Sequence, residues 1–175
     1  PAWDTIKIKK TDTCDAICMG FSNPTKYYNG KLDITTNYSG KDAKSWPYWV
    51  NEQRDPDTNM ILSEKLVPIG EVYVVRSPMF NTVPVTKAYY HGWKTSMDIG
   101  AYDDNGTLVK IGSVSSGLNE DIQRIAGSNP ELYIGEVVEL AGMEKNHEDK
   151  TLRHFYFKNF RDDKNPKDCK ISEIF

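Results

Sequence analysis

Ser96-Met97-Asp98-Ile99-Gly100-Ala101-Tyr102, then Asp103-Asp104-Asn105-Gly106, then Thr107-Leu108-Val109-Lys110-Ile111-Gly112-Ser113-Val114-Ser115-Ser116-Gly117-Leu118, form the stretch on which the fold turns. Two β-forming runs flank an Asn-Gly pair, which takes the positive φ angles of a tight hairpin turn. Strands are therefore predicted over 94–102 and 108–113. Downstream, Asn119 suits an N-cap, and Glu120 and Asp121 complement the dipole of a helix over 119–126 that Gly127 ends. Strands follow over 133–143 and 152–160, joined by the charged loop 144–150, with one helical turn at 172–175. Upstream, Thr13-Cys14-Asp15-Ala16-Ile17-Cys18-Met19-Gly20-Phe21 reads as an apolar strand closed by glycine. The expectation is a mostly β chain of five strands and one short helix.

Between the first strand and the hairpin lie residues 22–90, far longer than the ordinary connection of ~4–6 residues. Their aromatic and β-branched content, as in Trp46-Pro47-Tyr48-Trp49 and Leu66-Val67-Pro68-Ile69-Gly70-Glu71-Val72-Tyr73-Val74-Val75, argues for an ordered, β-rich insertion. A hairpin or three-stranded flap is expected around 69–75 and 83–89, with a loop over 51–59. Trp46, Tyr48 and Trp49 read as the insertion's own small core, with base stacking as their other use.

The chain has 175 residues, with 22 Lys and Arg against 25 Asp and Glu, a net charge of −3. The overall balance gives nucleic-acid binding no support, so any such surface must be local. Cys14, Cys18 and Cys169 lack C-x-x-C spacing, which argues against zinc and for a reducing compartment, and the first two read as small buried side chains. His91, His147 and His154 are scattered, and no metal site is expected. No apolar run approaches the ~20 residues of a membrane span, and the start lacks the basic and apolar regions of a signal peptide. A cytoplasmic or nucleoid-associated protein is the expectation.

Two charge clusters stand near the ends. Phe157-Lys158-Asn159-Phe160-Arg161-Asp162-Asp163-Lys164 runs an aromatic strand into a guanidinium, a carboxylate and an ammonium. Arg161 can fork onto phosphate oxygens, Lys164 adds a point charge, and Asp163 orients the cations or a hydrated metal. Near the start, Ile6-Lys7-Ile8-Lys9-Lys10 puts Lys7 and Lys9 on one strand face, where they suit a phosphate.

The order of these pieces resembles the carboxyl-terminal part of ATP-dependent DNA ligases: nucleotidyltransferase motif V, a hinge, an OB domain and motif VI. The stretch Gly112-Ser113-Val114-Ser115-Ser116-Gly117 resembles the family's Gly-x-Val-Gly-Ser-Gly, with Ser115 where many members carry glycine. The resemblance implies a five-stranded OB-fold barrel with a long insertion after its first strand. Residues 1–11 would be the motif V strand ending the nucleotidyltransferase domain, 12–21 and 91–175 the OB domain, and 22–90 the insertion. A chain that begins without methionine, on a strand with nothing ahead of it to pair with, reads as a fragment of a longer protein.

By the same resemblance, Lys7 and Lys9 contact the nucleotide α-phosphate. Arg161, Asp163 and Lys164 act on the β and γ phosphates and orient pyrophosphate as leaving group. Asp12 is the expected hinge pivot, with Asp15 second. The family seals nicked duplex DNA, the closing step of replication, repair and recombination, using ATP and Mg2+ through a lysyl-AMP intermediate. No Lys-x-Asp-Gly motif is present to take the AMP, so the chain alone is expected to be inactive and to hold neither cofactor tightly. Its partners would be the missing nucleotidyltransferase domain and nicked double-stranded DNA, which it would bind as a monomer. Lys26, Lys31, Lys41 and Lys44 make the first half of the insertion basic enough to touch a DNA backbone as part of a clamp.

Motif V, motif VI and an OB domain are shared with mRNA capping guanylyltransferases, although the 112–117 stretch and the short tail after Lys164 look more ligase-like. An RNA ligase is an open alternative. A non-catalytic OB module for single strands would have no use for the Arg161 to Lys164 cluster.

Overall fold

A computed structural model of the chain describes residues 11–30, 32 and 45–175. It is mostly β and divides into two compact units, one of residues 1–23 and 94–175 and the other of 24–93. Lys7, Lys9, Lys31, Lys41 and Lys44 lie outside the described residues.

The first unit is built on β1 (Asp12–Ser22), β5 (Ser96–Tyr102), β6 (Leu108–Val114), β7 (Val137–Asn146) and β8 (Thr151–Arg161), in the order β6-β5-β1-β7-β8 with every neighbour antiparallel. β1 is central because it is buried on both sides. Ala16 and Cys18 enter a core with Met97, Ile99, Val138 and Leu140, while Ile17 points the opposite way against Val137 and Cys169. That is why Ala16-Ile17-Cys18 shows no polar alternation. Burial pushes the thiols of Cys14 and Cys18 up to about 12, so both behave as small apolar side chains.

Irregularities in register occur at Cys18/Gly20, Ile99/Gly100 and Glu139/Leu140. Each bulge bends its strand and adds twist. The curl brings the chain after β6 against β8, where the Phe157 amide donates to the Ser116 carbonyl at 2.9 Å. Gly117 makes this approach possible: its φ is +89°, and a Cβ there would lie 2.1 Å from the Phe157 carbonyl oxygen. Ser115, by contrast, has no positive φ, so a serine fits there without strain. Gly117→Ala is expected to cost at least ~2 kcal/mol through combined backbone strain and overlap. A denaturant midpoint within error of the parent's would show that the backbone yields freely here.

In chain order the first helix, α1 (Lys87–His91), belongs to the second unit, and the next, α2 (Glu120–Ser128), lies between β6 and β7. The Asn119 side chain caps it by accepting from the Ile122 amide at 2.9 Å. Gly127 lies inside this helix, which runs on until Asn129 and Pro130, since one glycine costs only ~1 kcal/mol against alanine. Residues 133–136, expected in a strand, form a turn after a short 3-10 helix, and β7 begins at Val137. Its far end reaches Asn146, beyond the expected start of the loop. A final short helix, α3 (Ile171–Ile174), ends the chain.

The second unit has a three-stranded antiparallel sheet, β3-β2-β4, of β2 (Trp49–Arg54), β3 (Ile61–Val67) and β4 (Phe80–Pro84). The structure differs from the expected flap: 69–75 carries no strand, and 83–89 holds the end of β4 and then the start of α1. Val72 and Val74 instead bury their side chains against Trp49 and Val67. Thr86 accepts from the Tyr89 amide and starts α1, which converts a β-branched run into a helical turn. Among the described residues no helix is long and apolar enough to cross a membrane.

Candidate functional site

Arg161 is the last residue of β8 and pairs with Val137 of β7. Its guanidinium forks onto Asp163, with Nε to Oδ1 at 3.1 Å and Nη2 to Oδ2 at 2.9 Å. The remaining nitrogen, Nη1, donates to Asp15 Oδ2 at 2.8 Å. Lys164 Nζ reaches the same Asp15 oxygen at 3.2 Å. The three residues singled out in sequence therefore meet, and Asp15, first read only as a secondary pivot, joins them. A lone carboxylate in the apolar run 13–21 was the available signal, because such a group needs a cationic partner.

The quartet is charge-balanced, two cations against two carboxylates. Hydrogen bonds from Arg161 hold the Asp163 carboxyl below the usual range, and those bonds with the charges of Asp163 and Asp15 raise Arg161 in turn. Burial is the largest single influence on the Lys164 ammonium and works to lower it, but the hydrogen bond to Asp15 and the charges of Asp15, Cys169 and Glu173 together outweigh it and raise the group. The two carboxylates differ in freedom: Asp15 is 14% exposed and Asp163 66%. Asp163 thus holds its fork partner from solvent, in the bidentate geometry that a phosphate also satisfies. An incoming phosphate can take its place while Asp15 continues to anchor both cations. Beside the quartet is a small pocket of ≈170 Å³ bordered by Thr13, Asp15, Lys164 and Lys170.

Asp12 is placed at the head of β1, paired with Gly142. The ladder restrains its backbone, and Thr11 is the first residue outside the strand.

Lys26 is the one described member of the four insertion lysines, and its surroundings give a different role. Its ammonium bonds to Glu52 and, at 2.7 Å, to Glu64. Glu52, only 2% exposed, also receives the Tyr27 hydroxyl at 2.8 Å and Arg54 Nη2 at 3.3 Å. Tyr89 Oη donates to Glu64 Oε1 at 2.8 Å. The Lys26 charge is committed inside the unit, as a polar cross-brace, and is poorly placed to compensate a DNA phosphate.

Burial alone would raise the Glu52 carboxyl, but the hydrogen bonds from Lys26 and Tyr27 and the charges of Lys26 and Arg54 together lower it. A carboxyl lowered by folding contributes stability above its unfolded pKa, and that contribution is lost as pH falls through the folded value. The second unit is expected to lose stability progressively below about pH 4.5, its ordinary value. Glu52→Gln, which leaves Lys26 without its closest counter-charge, is expected to cost about 3 kcal/mol at neutral pH and to flatten the acid limb. Thermal melts at pH 3 to 7 that superimpose for parent and variant would refute the brace.

Trp49 is fully buried, as the core reading expects. Trp46 and Tyr48 are half-buried in a run of ring contacts that continues from Tyr28 (3.7 Å between Tyr28 and Trp46 centroids) to His91 and Trp93. His154 lies on the surface of β8 with φ +55° and 82% side-chain exposure. Among the described residues no three His, Cys, Asp or Glu side chains gather as a metal site requires.

No protein-family model matches the chain, and no curated protein matches it.

Proposed function

We propose that the chain is the carboxyl-terminal OB region of an ATP-dependent DNA ligase, which engages nicked duplex and supplies motif VI to the nucleotide site. The observation that carries this reading is the Arg161–Asp163–Lys164 cluster, assembled on Asp15 at the end of the last strand. A solvated strand end has no need for a bidentate fork and a shared, half-buried carboxylate. Two cations held at a fixed spacing, with a displaceable anion in the phosphate position, suit a triphosphate whose β and γ groups must be oriented and then released.

The architecture supports the same reading. A five-stranded antiparallel sheet in the order third, second, first, fourth, fifth, with a helix between the third and fourth strands, has the connectivity of an OB fold. The contact of Ser116 with Phe157 is of the kind that would close such a barrel between its third and fifth strands. The insertion occupies the connection between the first and second strands, one of the two loops with which OB folds hold oligonucleotides. ATP and Mg2+ would be cofactors of the whole enzyme, with Lys7 and Lys9 in contact with the α-phosphate. The Mg2+ would be held mainly by substrate phosphates.

The test is binding of the chain to a nicked duplex across a salt series, with intact duplex, single strand and capped or uncapped RNA as competitors. Preference for the nicked duplex with a steep salt dependence is expected. Preference for single strand or for RNA would overturn the assignment in favour of a binding module or an RNA enzyme.

A further inference from the structure

The sheet of the second unit has two unlike faces. One holds Glu52 and its cross-brace. On the other, β2 turns Trp49 into the core and then presents Asn51, opposite Lys65 and Thr82, and Gln53, opposite Ser63 and Phe80. These residues line an open groove of ≈450 Å³.

The hydrogen bonds of the groove leave it one-sided. Thr82 Oγ1 donates to Asn51 Oδ1 at 2.7 Å, and Ser63 Oγ donates to Gln53 Oε1 at 3.0 Å. Each amide oxygen already accepts one hydroxyl, whereas the NH2 groups of Asn51 and Gln53 enter no hydrogen bond among the described residues and are left to offer a ligand. Lys65 adds an ammonium that enters no ion pair among the described residues. The groove therefore offers donors and suits a ligand that shows it acceptors. Asn51 and Gln53 are two residues apart on one strand, about 6.8 Å. That span equals about two nucleotide steps of 3.4 Å.

We propose that this face seats on the minor groove of duplex DNA at A·T pairs. There an A·T pair shows only the acceptors N3 and O2, whereas G·C adds the N2 amino donor, which would oppose the amide NH2 groups. Phe80, 48% exposed beside the groove, supplies the apolar surface that minor-groove proteins push between base steps. Such a wedge is needed, because a minor groove about 6 Å wide must open to admit neighbouring strands about 4.8 Å apart. A nick eases that opening, since one backbone is already broken. Lys65 reaches a flanking phosphate. This inference rests on the reading of nicked duplex as substrate and names the part of it that the insertion reads.

The experiment uses the full chain and three nicked duplexes of equal length, flanked by A·T, G·C or inosine·C pairs, with affinity read by fluorescence anisotropy at fixed salt. Inosine lacks the 2-amino group, so inosine·C matches A·T in the minor groove while remaining close to G·C elsewhere. Expected are affinities about tenfold tighter for A·T than for G·C, and recovery of most of that factor with inosine·C. Asn51→Asp with Gln53→Glu, which still accept from Thr82 and Ser63, should bring the A·T to G·C ratio near one. Lys65→Gln should weaken all three duplexes alike. Equal affinity for A·T and G·C, or inosine·C behaving as G·C, would overturn the groove assignment and leave the ligase reading standing. No binding to any duplex, or displacement by an acidic peptide in preference to DNA, would overturn both. The inosine comparison needs no variant, so a misfolded mutant does not stall the test.

Discussion

Replacing Arg161 with alanine is expected to lower nucleotide transfer by two to three orders of magnitude when the chain is assayed with a nucleotidyltransferase domain that carries the reactive lysine. The figure is that for removing one preorganised charge-stabilising donor from a site where phosphate charge develops. Arg161 is also the hub of the quartet, bonded to both Asp15 and Asp163. Arg161→Lys should recover little, because an ammonium cannot reproduce the planar fork. Asp163→Asn should be milder, since on the proposed reading Asp163 is the partner that gives way to a phosphate. Adenylation by Arg161→Ala within a few-fold of the parent, in a protein whose circular dichroism is unchanged, would remove the cluster from the chemistry and return it to the role of a strand-end ion network.

Trp49→Ala is expected to have the largest effect on stability, about 3–5 kcal/mol. Trp49 has 0% exposure and anchors a core of which Val67, Val72 and Val74 are the other buried members. So small a core has little to spare, because net stability is only about 5–15 kcal/mol even for whole proteins. The expected result is proteolytic cleavage within residues 24–93 while the sheet of β1 and β5 to β8 stays resistant. Limited proteolysis followed by mass spectrometry would show it. Simultaneous loss of both units would mean that they fold as one cooperative block, and full resistance would mean that Trp49 carries less of the core than its burial indicates.

The first unit was largely readable in the sequence because its signals are local. Asn105-Gly106 marks the hairpin, Asn119 caps the helix, and the apolar residues of β1, β7 and β8 mark buried strands. The element ends are less legible there: Gly127 looks like a stop, yet it sits inside a helix that runs to Ser128. The insertion was harder. Trp49-Val50-Asn51-Glu52-Gln53-Arg54 reads as polar, yet it forms the middle strand of a sheet, because Glu52 finds Lys26, Tyr27 and Arg54 around it. That compensation depends on residues up to 26 positions away, which no periodicity reveals. Val72 and Val74 look like strand residues and are buried like strand residues, but they join no named strand. At the candidate site, Arg161, Asp163 and Lys164 were visible as a cluster, whereas the partner that organises them lies 146 residues earlier, at Asp15.

The β1–β5 ladder extends to Ser22 opposite Ser96, and Lys94 reaches back to the Asn23 side chain. The chain thus leaves the first unit and returns to it at adjacent points, as the two arms of an ordinary hairpin do. A segment grafted at such a place adds no thread through the host fold and asks for no new closure of its strands, since both ends are already held together. It can be gained, enlarged or trimmed in the course of descent while the host keeps its topology, so the host sheet and the inserted unit are free to diverge at different rates.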